Sequence, residues 1–88
     1  MGTWTINFDN NWDIYFNDLD QTIQEHIFKK INKLQFDICA RHFNKVNFFI
    51  LEVGQYRIAF FENKITKTRT VVFVGNHTQY EKWYKGYF

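Results

Sequence analysis

The sequence predicts an α+β domain in which an N-terminal strand and a helical hairpin pack on an antiparallel sheet and a short helix closes the chain, in the order β-α-α-β-β-β-α. Three observations predict it. Apolar residues recur at helical spacing from Trp12 to Leu34. From Asn47 to Val74 they instead fall in short blocks rich in β-branched and aromatic residues. Between two of those blocks stands Gly54-Gln55, a pair suited to a two-residue hairpin loop. All of residues 1–88 are expected to form a single domain, because a chain this short does not support two separate cores.

Thr3–Phe8 alternates, with Trp4, Ile6 and Phe8 on one side and Thr3, Thr5 and Asn7 on the other, as a half-buried strand does. Asp9-Asn10-Asn11 breaks it and offers helix caps. Trp12, Tyr15, Phe16 and Leu19 then fall at i, i+3, i+4 and i+7, the stripe of a short amphipathic helix. A second helix follows, capped by Asp20 or by Thr22, which pairs with Glu25 as a capping box. Its buried stripe is Ile23, Ile27, Ile31 and Leu34, and the short gap makes the two helices antiparallel neighbours.

Residues 36–46 read as irregular, after which Asn47–Val53, Tyr56–Phe61 and Thr68–Val74 read as strands. With Gly54-Gln55 as the loop, Val53 pairs with Tyr56 and Glu52 stands opposite Arg57. Period-two alternation puts Tyr56, Ile58 and Phe60 on one face and Arg57, Ala59 and Phe61 on the other. Thr78-Gln79-Tyr80-Glu81 is a further capping box, opening a helix that runs to about Lys85 and stops at Gly86.

Composition removes several function classes. The chain is 45% hydrophobic with eleven Phe and no Pro, so it can close a core and is not a linker or a disordered tail. Cys39 is its only cysteine, which rules out an intrachain disulfide. The polar N-terminus lacks the basic and apolar regions of a signal peptide, and runs such as Val71–Val74 are too short to cross a bilayer. A cytoplasmic protein with no membrane partner is expected. The net charge of +2 is compatible with nucleic acid without pointing to it. His26, His42 and His77 are far apart and Cys39-x-x-His42 is a lone pair, so no metal site is expected. There is no serine and no glycine-rich phosphate loop, and no cofactor is expected.

Two constellations remain. One is the Glu52–Arg57 cross-strand pair, either a surface ion pair or an arginine aimed over a sheet face where small Ala59 leaves room. The other is the strand end Val74-Gly75-Asn76, which delivers His77 to a helix N-terminus with Tyr80 one turn on. These two side chains either face a cleft or cap and pack the last helix.

Together, Val53-Gly54-Gln55-Tyr56-Arg57-Ile58 and Val74-Gly75-Asn76-His77-Thr78-Gln79-Tyr80 resemble the RelE/ParE toxin superfamily, and within it the RelE- and HigB-like mRNA interferases of type II toxin–antitoxin pairs. The resemblance runs over nearly the whole chain. It implies a toxin that inhibits translation by cutting mRNA in the ribosomal A site and that a cognate antitoxin silences. By position, Arg57 matches the arginine that contacts the scissile phosphate, His77 a position filled by arginine or histidine, and Tyr80 the tyrosine of the HigB-like ending. Trp83 or Tyr84 lies near the terminal tyrosine of RelE-like members. The expected catalytic residues are thus Arg57, His77, Tyr80 and Glu52, and the expected RNA- and phosphate-binding residues are Lys45, Arg41, Lys82 and Tyr84.

Such chemistry is physically reasonable without a metal, since RNA carries its own nucleophile in the 2′-hydroxyl. An arginine fork suits the phosphate and a histidine serves as acid or base. Where active relatives often carry Lys or Arg, this chain has Phe48, Phe49, Ile50 and Leu51, then Glu52. Glu52 is either the base of the reaction or a neutralising partner of Arg57. The same fold serves non-enzymatic ParE-like inhibitors of DNA gyrase, and an attenuated relative that only binds antitoxin is a third alternative. Having both His77 and Tyr80 favours the enzyme. Phe28 and Phe36 are candidates either for the core or for the antitoxin-binding surface.

Overall fold

The computed structural model describes residues 3–36, 41–42 and 48–87, with the backbone alone at Arg41, His42 and Tyr87. In chain order the elements are β1 (Thr5–Phe8), α1 (Gln21–Asn32), β2 (Arg41–His42), β3 (Phe48–Val53), β4 (Tyr56–Asn63), β5 (Thr68–Asn76) and α2 (His77–Tyr87). The strands form one sheet in the order β1-β5-β4-β3-β2. The α+β class and its layering are those expected from the sequence. No helix among the described residues is long and apolar enough to cross a membrane.

The sheet is mixed rather than wholly antiparallel. β3, β4 and β5 are joined by hairpins and alternate in direction, but β1 lies parallel to β5, with Thr5 opposite Thr68 and Phe8 opposite Val71. Alternation along Thr3–Phe8 marks a strand without giving its direction. The chain between β1 and β5 runs through α1, β2, β3 and β4 and is long enough for parallel pairing, which a tight turn would forbid. The stretch expected to be irregular supplies the two-residue β2, paired with Phe49 and Ile50, while Cys39 lies outside the described residues.

The first expected helix is not α-helical. Residues 10–15 form turns, and only Phe16–Asp18 makes a 3₁₀ turn. Asn11 sits at φ +68°, a left-handed conformation that asparagine tolerates and a helix does not. The backbone bonds that follow are mostly of the i→i+3 kind, such as Asp18 N–H to the Tyr15 carbonyl (3.2 Å). Asn, Asp and aromatic residues support helix propagation weakly. The stripe nevertheless reported burial correctly, because Phe16 is in the core and Trp12 lies tilted against it with centroids 5.0 Å apart.

In α1 the expected stripe is the buried one: Ile27, Ile31 and Leu34 are wholly covered and Ile23 partly. Asp20 is the N-cap, its carbonyl accepting from Gln24 N–H (2.9 Å) with no side-chain cap bond, so the Thr22–Glu25 box does not form. The stripe packs on Val53, Ile58, Phe60, Val71 and Val74, one face of the sheet. The opposite face, with Phe48, Ile50, Ala59, Val72 and Phe73, is covered by Tyr80 and by partly buried Trp83 and Tyr84 of α2. Register slips between Ala59, opposite Phe73, and Phe60, opposite Val71. Val72 is the extra residue of this bulge, and it shares the α2-side core with Phe73.

Among the described residues Arg69 is the one charged residue that is buried, and the side chain of its partner Glu62 is nearly so, at 8% exposure. Arg69 faces Glu62 across β4 and β5, with Nη2–Oε2 at 2.9 Å and Nε donating to the same oxygen at 3.0 Å. Its Nη1 donates to the carbonyls of Leu34 (2.9 Å) and Phe36 (2.7 Å), and its guanidinium lies 4.2 Å from the Trp4 ring centre. This arginine fastens the turn after α1, the sheet and the N-terminal segment to one another.

Candidate functional site

The hairpin places Arg57. Gly54 adopts φ +61°, the left-handed conformation the two-residue turn requires, and the ladder then sets Val53 against Tyr56 and Glu52 against Arg57 as expected. On its other side Arg57 is opposite Gly75 of β5. Its side chain lies on the α2 side of the sheet and is 19% exposed. Glu52 Oε2 is 3.6 Å from Arg57 Nη2, and the guanidinium sits 4.9 Å from the Tyr80 ring centre. A 3.6 Å contact to a half-exposed carboxylate is a loose ion pair that leaves guanidinium donors to spare for a further anion.

Helix α2 starts without a linker where β5 ends. Asn76 and Gln79 cap it reciprocally: Gln79 N–H donates to Asn76 Oδ1 (2.8 Å) and Asn76 N–H donates to Gln79 Oε1 (2.9 Å). The capping box therefore stands two residues before the expected Thr78–Glu81 box, and the helix continues through Gly86 to Tyr87. Gly75 makes the tight junction possible. A Cβ there would lie 2.6 Å from Phe73 Cζ and 2.8 Å from Gln79 Oε1.

Tyr80 is buried beneath Arg57, edge-on to Phe73 and stacked with Tyr84 at 5.9 Å. Trp83 stacks on Phe73 (5.0 Å) and on Phe48 (5.8 Å), so the arginine rests on a continuous aromatic floor. His77, the first residue of α2, is exposed, and its Nε2 is 3.3 Å from Oε2 of Glu81 one turn on.

Of the expected site residues, the structure brings Arg57, Glu52 and Tyr80 together, with Tyr84 stacked beyond Tyr80. His77 stands at the mouth of the same strand-to-helix junction, paired with Glu81. Lys82 is exposed on α2. Arg41 lies in β2 opposite Ile50, and Lys45 lies outside the described residues. Glu81, expected to close the Thr78 capping box, instead pairs with His77 at the four-residue spacing of a helical side-chain pair. Among the described residues no three His, Cys, Asp or Glu side chains gather as a metal-binding group. A cleft of about 410 Å³ lies across the sheet from Arg57, between α1 and the β3–β4 turn, and is lined by Ile23, His26, Val53 and Tyr56 among others.

Solved structures share this architecture. A chain of the RelBE2 toxin–antitoxin complex of Mycobacterium tuberculosis superposes with a TM-score of 0.77 at 15% identity, over 88% of this chain and 94% of that one. A mutant of the E. coli toxin RelE in the free state gives 0.75 at 17% identity, over 92% of this chain and 90% of that one. A chain of the archaeal RelE–RelB complex from Pyrococcus horikoshii gives 0.67 at 12% identity, over 84% and 94%. No protein-family model and no curated protein sequence matches the chain. The fold is thus that of the RelE toxins.

Proposed function

We propose that this protein is the single-domain toxin of a type II toxin–antitoxin pair, a cytoplasmic, metal-independent endoribonuclease that cuts mRNA on the ribosome. The observation that carries the proposal is the seat of Arg57, a partly exposed guanidinium held on an aromatic floor between Glu52 and Tyr80, beside the junction that presents His77. The RelE fold, and the occurrence of similar chains in complexes with RelB antitoxins, support the same reading.

In this reaction the 2′-hydroxyl loses its proton and attacks the adjacent phosphorus. The bond to the 5′-oxygen breaks, and that oxygen takes up a proton, leaving a 2′,3′-cyclic phosphate and a 5′-hydroxyl. Arg57 clamps the equatorial oxygens as charge builds there. His77 is the acid or base, with Glu81 orienting its ring. Tyr80 acts as a buried platform that fixes the guanidinium. Glu52 restrains Arg57 from the other side and is within reach of a proton held near it. Arg41, Lys45, Lys82 and Tyr84 hold the RNA strand. Active relatives often carry Lys or Arg along the strand that here runs Phe48–Leu51 and ends in Glu52, and the balance between restraint and neutralisation at Glu52 is part of this proposal.

The test is cleavage of a programmed mRNA on translating ribosomes by wild type, Arg57→Ala and His77→Ala. Cutting by wild type and its loss in both variants is the expected result. Folded wild type that cuts nothing would overturn the nuclease reading. Growth arrest with DNA damage would then point to gyrase, and absence of arrest to a domain that only binds antitoxin.

A further inference from the structure

Gly75 leaves a place empty beside Arg57, and another residue fills it. The two are directly opposite in the β4–β5 ladder. Side chains paired in this way sit about 4.5–5.5 Å apart at Cβ. Val74 belongs to the α1-side core and Phe73 to the α2-side core, so alternation turns the missing Gly75 side chain toward α2, as it does Arg57. The atoms found there are those of Gln79, with Oε1 2.8 Å and Cβ 3.3 Å from where a Gly75 Cβ would stand. The Gln79 amide is thus the cross-strand neighbour of Arg57 that glycine does not supply.

The orientation of that amide is fixed. Oε1 accepts from Asn76 N–H at 2.9 Å, and Gln79 N–H donates to Asn76 Oδ1 at 2.8 Å. With the oxygen committed to the cap, Nε2 faces the other way, and no acceptor among the described residues takes its two hydrogens. No buried side-chain nitrogen or oxygen among the described residues lacks a partner, so this donor is open to solvent.

Capping alone does not call for glutamine. A capping box takes Glu or Gln at this position, and the positive end of a helix favours the acid. Glu would cap α2 and would also set a second carboxylate beside Arg57, which already faces Glu52 at 3.6 Å. Gln gives the cap the same acceptor and gives the site two neutral donors.

We propose that Gln79 is a further catalytic residue of the cleavage site, its Nε2 donating to a non-bridging oxygen of the scissile phosphate that Arg57 clamps. The donation strengthens as charge builds on that oxygen, and Gln79 itself moves no proton. The inference rests on the nuclease reading of Arg57 and adds to it a neutral donor held by α2.

Two measurements on the intact protein test it. In the first, side-chain amide resonances of the wild type are followed as a 2′-deoxy trinucleotide is added, a probe that carries the phosphates without the nucleophile. The Gln79 Nε2 hydrogens should shift, and Arg57→Ala should remove the shift. Binding that leaves them unmoved, or no binding, would overturn the proposal. This arm needs no folded Gln79 variant.

In the second, Gln79→Met and Asn76→Ala are compared on programmed ribosomes, with unfolding midpoints measured for both. Each removes one half of the reciprocal cap, so the midpoints should fall alike. Gln79→Met should lower kcat on the order of 10²-fold with KM little changed, as loss of one transition-state donor does. Asn76→Ala leaves Oε1 of Gln79 its backbone partner and should cut within about threefold of wild type. Equal losses in the two variants, or a Gln79→Met rate within about threefold of wild type, would overturn the role of Gln79 alone. Wild type that binds the trinucleotide through Gln79 yet cuts nothing would overturn the nuclease reading and the catalytic role with it.

Discussion

Replacing Arg69 by alanine strands a carboxylate. Glu62, whose side chain is 8% exposed, would lose the guanidinium 2.9 Å away, and the Leu34 and Phe36 carbonyls would each lose a donor. Breaking a buried pair from one side costs about 3–5 kcal/mol. A domain of this size commonly has only about 5–15 kcal/mol in all, so Arg69→Ala should be close to the limit of folding. The midpoint of thermal unfolding should fall by roughly 15–30 °C. The companion Arg69→Met/Glu62→Leu removes the stranded charge and refills the volume. It should recover about 1–3 kcal/mol and retain only the two missing carbonyl bonds, at about 1 kcal/mol each. Thermal and urea unfolding followed by circular dichroism would measure both. A loss below about 1 kcal/mol in the single variant, or a double variant no better than the single, would refute the role assigned to the buried arginine.

Three further outcomes follow from the junction and the hairpin. Gly75→Ala forces a Cβ against Phe73 and Gln79 and should destabilise by about 1–3 kcal/mol, with α2 and Tyr80 displaced in the near-ultraviolet dichroism spectrum. Asn76→Ala removes one half of the reciprocal cap and should cost about 1 kcal/mol in urea unfolding, whereas Thr78→Ala, outside the cap, should change little. Glu52→Gln should leave stability within about 1 kcal/mol, since the carboxylate is half exposed and its contact to Arg57 is a loose 3.6 Å. In the ribosomal assay it separates the two roles of this residue: faster cutting identifies Glu52 as a restraint on Arg57, slower cutting as the base.

The parts legible in the sequence were those set by local rules. A two-residue turn with glycine at the left-handed position leaves one register, so the Glu52–Arg57 pairing could be read directly. The stripe from Ile23 to Leu34 holds because helical spacing and burial coincide there. Arg69 was illegible, because Thr68-Arg69-Thr70 looks like a solvent-facing strand and the carbonyls that bury the arginine belong to residues more than thirty positions away. Two overlapping capping boxes, Asn76–Gln79 and Thr78–Glu81, compete on local grounds, and the close approach at Gly75 selects the first. Around Trp12 the spacing encoded which rings go inward, while the left-handed Asn11 denied the segment its helix. At the candidate site the sequence supplied the residues and their order along the ladder, but that Tyr80 lies beneath Arg57 depended on how α2 folds back over the sheet.

That β5 passes into α2 with no residue between them ties the two in rotational phase. Each residue of an α-helix advances it by about 100°. One amino acid inserted between Asn76 and His77, or one deleted there, would turn Tyr80 away from Arg57 and present the guanidinium with a different side of the helix. The β4–β5 loop, at the far end of its strands from Arg57, can lengthen or shorten with far less consequence for the site. Here the count of residues is itself part of the geometry, and descent with insertions should spare this seam.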